Sequence, residues 1–325
     1  MKILFLGNVT ELHGPDQVNR CYYSHLSEHF LYARSRNRYA EFIEAALKML
    51  FCRVVVVSGV TRRGCWLTGL ARFFRKKTVY IMHGCAAHEF ELNRIVLGET
   101  AKRQEMYMLK NADLLLPVSE KFMHWVQQRY PEYAHKTHFL YNGIEKISIP
   151  ENDQLLKVPG SIIAAGGTDP LKGNGLLAQA VEQIPEAHLR IYGNQNGTAG
   201  SRCGSNVQYM GRVSHEEFLQ QLMRTELFVV NSVFETFSLA AVEALSCGCS
   251  VLISEQAGVT GILELSEADI IHNPEDIGEI KCKVEHLLMH ANHQRIMSKL
   301  NLDAYSYPKT VERLETICQQ LCLTR

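Results

Sequence analysis

Residues 227–253, LFVVNSVFETFSLAAVEALSCGCSVLI, decide the fold. Leu227 to Val230 form a branched apolar run of the length of a buried strand, and the chain turns polar from Asn231. A helical pattern runs from about Ser238 to a stop at Gly248, a residue suited to the left-handed turn that ends many helices. Ser250 to Ile253 open a second apolar strand. Strand, crossover helix and strand in so short a span make a βαβ unit, whose strands run parallel under helices on both faces.

The same unit recurs outward in both directions. Lys2 to Leu6, Val54 to Ser58, Thr78 to Met82, Asp113 to Val118 and Thr137 to Leu140 read as buried strands in the first half. Ser161 to Ala165, His188 to Tyr192, Val207 to Met210 and Asp269 to Ile271 do so in the second. Pro274 to His290, Asn292 to Leu302 and Pro308 to Cys322 carry helical patterns. The expected fold is α/β, with two Rossmann-like doubly wound parallel-sheet domains facing a cleft. The boundary is placed in Ile147 to Gly160, where periodicity is lost and Pro150 and Pro159 occur, giving domains 1–150 and 151–307. A chain of 325 residues has the length for two domains. Ligands of such sheets bind beyond the carboxyl ends of the strands, so the strand-to-helix loops are where chemistry is expected.

Composition narrows the partners. The 34 Lys+Arg and 34 Asp+Glu cancel, but residues 1–150 hold 21 and 13 of them (net +8) and residues 151–325 hold 13 and 21 (net −8). The first half is thereby expected to meet an anionic partner. With 46% apolar residues the chain is not disordered, and its ten cysteines follow no framework spacing, so they read as reduced residues of a cytosolic protein. The opening MKILFLGN is too short an apolar run for a signal peptide, and no window approaches a membrane span.

In the polar loop of the opening segment, Glu235 precedes the helix and Glu243 lies inside it, so both can face one ligand across the helix start. Backbone amides of Thr236, Phe237, Ser238 and Leu239 stand at the positive helix end, which suits a phosphate. Carboxylates flanking an anion site fit hydroxyls flanking phosphates, the shape of a nucleotide sugar.

The pattern S-x-x-E-x-F-x-L-x-x-x-E-A-L-x-x-G resembles the E-x7-E signature of retaining GT-B glycosyltransferases of the group 1, or family 4, type. The resemblance implies that Glu235 contacts donor-sugar hydroxyls, that Glu243 holds the ribose diol, and that the amides at Phe237 to Leu239 take the distal phosphate. Gly166 to Gly173, GGTDPLKG, resembles the family's G-R-x-x-x-x-K-G, whose cations neutralise the departing diphosphate; Lys172 matches, and Gly167 stands where Arg is usual. LRIYGN (189–194, with Gly193 and Asn194) and VQYMGRVSHEEF (207–218, with Arg212, Val213 and Phe218) resemble the walls of the base pocket. VLISEQAGVTGIL (251–263) keeps the family's order, and DAYSYPKTVERL (303–314) resembles a C-terminal helix, here 308–323, that packs back on the first domain.

The first half matches more loosely, as an acceptor-binding domain would. Gly14-Pro15-Asp16 is expected to place the loop of Val9 to Asp16 near the donor diphosphate, and His83-Gly84 resembles the family's H-G, whose His sits near the transferred sugar. Ser119-Glu120 and Asn142-Gly143-Ile144 match two further family segments, the latter followed by Glu145 in place of Asp. The resemblance makes His83, Lys172 and Glu235 the candidate catalytic residues.

Other signals are weaker. The chain has no D-x-D, which disfavours a metal-holding GT-A transferase, and no metal or other cofactor is expected. His286, His290 and His293 share a helical face and read as a solvated face. Arg62 to Lys77, RRGCWLTGLARFFRKK, reads as a basic amphipathic helix whose apolar residues Trp66, Leu67, Leu70, Phe73 and Phe74 mostly pack on the sheet; its cations, with Arg34, Arg36 and Arg38 nearby, are expected to meet an anionic membrane. No nucleic-acid motif appears.

The cysteine usage and the basic segment 62–77 make the expected location cytoplasmic and peripheral at the inner face of the cell membrane, and the resemblance implies an enzyme. It would move a sugar with retention from a UDP- or GDP-linked donor to a saccharide acceptor, lipid-linked in bacterial surface polysaccharide synthesis. The alternatives are another GT-B nucleotide-sugar enzyme such as an epimerase, and an idle nucleotide-sugar-binding protein.

Overall fold

The computed structural model describes residues 1–9, 14–35, 37–93, 98–147, 156–195 and 204–323. Residues 10–13 of the loop before Asp16, Arg36, and residues 148–155 of the expected linker lie outside them. The chain divides into two compact units, Met1–Glu145 with Leu302–Arg325, and Lys146–Asn301.

The first unit carries a five-stranded parallel sheet in the order β2-β1-β3-β4-β5. Its strands are β1 (Ile3–Gly7), β2 (Phe30–Leu31), β3 (Val54–Ser58), β4 (Lys77–Met82) and β5 (Leu114–Pro117). Between them run α1 (Pro15–His25), α2 (Arg38–Met49), α3 (Arg62–Phe73), α4 (Ala86–Leu92) and α5 (Glu99–Asn111), with α6 (Glu120–Arg129) after β5. β3, four valines and a serine, is buried at every residue, because a central parallel strand is covered on both faces. Thr137 to Leu140 make no separate strand: His138 and Leu140 donate to the carbonyls of Leu115 and Pro117, and only Thr137 forms a bridge to β5. β2, two residues long at the sheet edge, left too short an apolar run to be read.

The second unit holds a six-stranded parallel sheet in the order β11-β10-β9-β6-β7-β8. Here β6 (Val158–Ala165), β7 (His188–Tyr192), β8 (Val207–Gly211), β9 (Thr225–Val230), β10 (Ser250–Ser254) and β11 (Ile270–Ile271) alternate with α7 (Asn174–Val181), α8 (His215–Met223), α9 (Leu239–Ser246), α10 (Ile277–Met289) and α11 (His293–Met297). One apolar core runs from Ile162, Ala164 and Leu189 on the sheet to Leu177 and Val181 on α7 and Val284 on α10. β8 is an edge strand and alternates in burial, with Met210 exposed; the expectation of a buried run there is corrected by its place at the edge.

The last helix, α12 (Tyr307–Leu323), belongs to the first unit, where it packs on α1 and β4. The division falls before Lys146 and Leu302, a few residues ahead of the expected 150 and 307. Local bonds explain the shift. Ile144 donates to the Tyr305 carbonyl (2.9 Å) and bridges Ser306, and Tyr141 meets Tyr305 edge-on, so 302–307 are tied to the first sheet before the helix begins. Tyr307 then packs against Tyr22 and stacks on His25.

The reading of 62–77 as one helix is also corrected. α3 stops at Phe73, Arg75 takes a left-handed backbone (φ 53°), and Lys77 already opens β4. Its buried side is Gly64, Leu67, Thr68 and Ala71, whereas Trp66, Phe73 and Phe74 stay exposed. Asn292 to Leu302 yields only the five residues of α11, and Pro274 to His290 begins as helix at Ile277. Among the described residues the cysteines form no disulfide, and no helix is long and apolar enough to cross a membrane.

A β-carbon on Gly143 would lie 2.3 Å from the Tyr307 ring and 2.8 Å from its backbone, so this glycine is what lets α12 seat. Gly143→Ala is expected to destabilise the protein by roughly 1–3 kcal/mol, the usual cost of overpacking. Chemical denaturation checks it; an unchanged midpoint would show that α12 is not held by this contact.

Candidate functional site

The second unit's site is built where β6, β7 and β9 end. After β6 the chain makes two left-handed glycines, Gly166 (φ 103°) and Gly167 (φ 60°). Asp169 caps the short turn Pro170–Lys172 by accepting from the Leu171 amide (3.0 Å), and Gly173, again left-handed, starts α7. After β7, Gly193 (φ 130°) and Asn194 run against this loop backbone to backbone. The Gly167 amide donates to the Tyr192 carbonyl (2.8 Å) and the Thr168 amide to that of Asn194 (2.9 Å). Asn174 clamps the loop from below, donating to the carbonyls of Ala165 and Gly167. Asn231, at the end of β9, donates to those of Gly173 and Pro274.

This packing explains the departure at Gly167. A β-carbon there would sit 1.9 Å from the Asn194 carbonyl oxygen, on a backbone that L side chains rarely adopt. An arginine at 167 is excluded by the neighbouring loop. Gly193 is held likewise, its β-carbon position lying 2.5 Å from the Gly167 nitrogen.

The loops bring Lys172 and Glu235 together. The Lys172 Nζ donates to Glu235 Oε2 at 2.6 Å, and both side chains are largely shielded. Glu235 is fixed through its backbone, which bridges Ala257 and accepts from the Gly258 amide (2.9 Å). Phe237 turns its side chain into the core, so only its backbone can address a ligand. Ser238 caps α9 in a left-handed conformation (φ 86°) that is uncommon for a non-glycine residue, and its side chain makes no capping bond. The positive end of α9 therefore opens beside the Lys172–Glu235 pair without a bond from its cap side chain.

Glu243 lies on the fifth residue of α9, a turn in, and bonds His215 (Oε1 to Nε2, 2.9 Å) at the first residue of α8. His215 was missed by sequence reading: it sits within the quoted stretch 207–218, but the contact spans two helices that only the β8-to-α9 path brings together. Phe218 packs edge-on to Tyr192 and Phe228. Arg212 is exposed and Val213 half-buried just after β8. Among the described residues no group of three His, Cys, Asp or Glu is placed to hold a metal ion, and the rings of His286 and His290 simply lie 4.7 Å apart on α10 and at its cap.

The other candidates lie in the first unit. His83 follows β4 and is half-buried, its Nε2 2.8 Å from the Ser58 hydroxyl at the end of β3. Burial depresses its pKa to about 4, with Asp16 pulling weakly the other way, so the ring is neutral at pH 7. Gly14 precedes α1 with φ 61° and has open space where a β-carbon would go. Ser119 caps α6 through the Phe122 amide (3.1 Å), a structural use of that segment.

Residues 159–290 match the family described as glycosyl transferases group 1. The second unit is thus a group 1 glycosyl transferase domain. Over 144 residues the chain is 24% identical to the sulfoquinovosyl transferase SQD2 of Arabidopsis thaliana, covering 42% of this chain and 28% of that one. Over 196 residues it is 22% identical to a Campylobacter jejuni N-acetylgalactosamine-N,N'-diacetylbacillosaminyl-diphospho-undecaprenol 4-alpha-N-acetylgalactosaminyltransferase, covering 57% and 53%. The matches thus span about half or less of these curated relatives. Among solved structures, Anabaena HepE in complex with UDP and glucose aligns at TM-score 0.70 with 14% identity, covering 98% of this chain and all of that one. Sucrose-phosphate synthase from Thermosynechococcus elongatus aligns at 0.68 with 16% identity over the whole of both chains. These likenesses and the two parallel sheets make the fold GT-B.

Two outcomes are expected. Gly167→Arg will not fold like the parent, because Asn194 blocks it; a soluble variant with unchanged melting would refute the exclusion. For His83, the unfolded chain binds a proton below about pH 6.5 while the folded chain does not until about pH 4, so stability falls as pH drops through that window. The loss reaches about 3 kcal/mol, and His83→Gln should remove it, read as a smaller difference between unfolding free energies at the two ends of the window.

Proposed function

We propose that this chain is a retaining glycosyltransferase that moves a sugar from a nucleoside diphosphate donor to a saccharide acceptor. The observation that carries the reading is the Lys172–Glu235 pair set beside the uncapped start of α9, with Glu243 one turn further on. A cation, a helix dipole and two carboxylates at spaced positions match, in order, a diphosphate, a hexose and a ribose. In this reading Lys172 and the α9 amides take the phosphates, Glu235 the sugar hydroxyls, and Glu243, oriented by His215, the ribose diol. Gly166, Gly167, Gly193 and Asn194 form the floor, and Arg212, Val213 and Phe218 flank the base.

The reaction breaks the bond between the anomeric carbon and the phosphate oxygen and forms one to the acceptor oxygen on the same face. The acceptor proton leaves on the departing diphosphate. Negative charge grows on that diphosphate, and Lys172 with the helix end is placed to stabilise it. No protein nucleophile and no metal ion are required, so activity should persist in a chelator. His83, neutral at pH 7, would serve as a hydrogen-bonding group and not as a cation. The Campylobacter relative is named for a diphospho-undecaprenol-linked acceptor, which supports a lipid-linked saccharide as acceptor, and the Anabaena structure holds UDP and glucose, which supports a nucleotide sugar as donor; synthesis of a bacterial surface polysaccharide is the role proposed with them.

One observation favours a second reading. The position of the family's arginine is sterically closed at Gly167, and a site with one cation fewer would suit a protein that binds nucleotide sugars without turnover.

Thermal shifts with UDP and GDP, then product analysis with sugars on the preferred nucleotide, separate the two. Lys172→Ala is expected to lower kcat roughly 100- to 1,000-fold, the usual cost of one such transition-state contact. Glu243→Ala should weaken nucleotide binding by about 1.5–3 kcal/mol, the worth of hydrogen bonds to a charged group. Unaltered binding and turnover in Glu243→Ala would end the site assignment, and nucleotide binding with no transfer would favour the idle protein.

A further inference from the structure

α2 and α3 pack side by side along the first unit's sheet, and each has two opposed sides. α2 buries Ala45 and Met49, and α3 buries Gly64, Leu67, Thr68 and Ala71. At about 100° per residue, Ile43 and Leu47 on α2 and Trp66 and Phe73 on α3 lie nearly opposite those buried stripes. They are exposed accordingly: 59%, 58%, 64% and 79%, with Phe51 just beyond α2 at 77%. A single exposed apolar side chain is ordinary, but four large ones on two neighbouring helices, with Phe51 beside them, form a patch of the kind that marks an interaction surface.

The charge around the patch has one sign. Residues 38–77 contain nine Lys or Arg against two acids, which accounts for seven of the eight excess positive charges in residues 1–150. Both acids are already paired inside the layer, Glu41 with Arg63 and Glu44 with Lys48 (2.7 Å). Arg53, Arg62, Arg72 and Arg75 are exposed, and Lys76 reaches along the surface to the Leu50 and Cys52 carbonyls.

We infer that the outer side of α2 and α3 docks on a bilayer containing anionic lipid. Ile43, Leu47, Trp66 and Phe73 enter the interfacial region, and the exposed arginines meet headgroup phosphates. An aqueous polyanion would satisfy the arginines and leave the apolar side chains in water. A second copy of this chain would bring two surfaces of the same sign together. A bilayer satisfies both features at once. The inner sides of the same helices, through Phe42, Arg63 and Gly64, line a cavity at the carboxyl ends of β1 and β3. Docking therefore sets that cavity about one helix diameter, roughly 10 Å, from the headgroups. The surface belongs to the first unit alone and stands whether or not the second unit transfers sugar.

The test uses the full chain with vesicles of phosphatidylcholine alone or with roughly 30% phosphatidylglycerol. The chain has two tryptophans, so a Trp125→Phe background isolates Trp66. Sedimentation with the anionic vesicles only, a blue shift of Trp66 emission, and at least a roughly tenfold loss of binding on raising salt from about 0.1 to about 0.5 M are expected. The double variants Trp66→Ala/Phe73→Ala and Ile43→Ser/Leu47→Ser should each weaken partitioning roughly tenfold or more while leaving nucleotide-induced thermal shifts unchanged. Should a variant fold poorly, the Trp66 emission shift in the otherwise unaltered surface still reads the contact. Absence of binding to anionic vesicles, binding unchanged in both double variants, or a dimer by light scattering that Trp66→Ala/Phe73→Ala turns into monomer would each overturn the proposal.

Discussion

The second unit depends on a close approach of two backbones. Gly166 and Gly167 after β6 meet Gly193 and Asn194 after β7 with no side chain between them, and three amide-to-carbonyl bonds, of Gly167, Thr168 and Asp169, fix the loop. That contact holds the Pro170–Lys172 turn and so the direction in which Lys172 extends. Were either loop wider, the Lys172 ammonium would not reach Glu235 at 2.6 Å across the gap between β6 and β9. The same closeness removes the room for an arginine at 167, so the loop's precision and its reduced cationic charge have one cause.

A related division of labour appears at α9. The sequence supplies two glutamates, a helix and a stop; the fold supplies a left-handed Ser238 whose side chain does not cap α9, at the place where Glu235 and Lys172 converge. Glu243 is then oriented by His215 from the adjacent helix. Strain and an uncapped end are costs to folding, and they are concentrated at the loops that the group 1 glycosyl transferase match spans.

Much of this was legible along the chain. The valine run of β3, the apolar run of β9 and the Gly248 stop of α9 are local signals whose period and length need no partner to be read. The place of Glu235 before the helix and of Glu243 inside it raised these two glutamates, and the family resemblance made them and Lys172 candidates. The edge strands were harder: β2 is too short to announce itself, and β8 alternates because one of its sides has no neighbour. The 62–77 segment misled because Trp66, Phe73 and Phe74 look like core residues by composition, whereas the side of α3 facing the sheet is the small-residue stripe of Gly64, Thr68 and Ala71 with Leu67.

The amino-acid sequence by itself determined two parallel α/β sheets, the loops that carry polar chemistry, and the opposed charge of the two halves, because these follow from local periodicity and residue type. Tertiary structure alone decided that Lys172 pairs with Glu235 and His215 with Glu243, and that no side chain fits at 167. Each of these is a contact between segments distant in the chain, set by backbone approach and strand order, which no local pattern encodes.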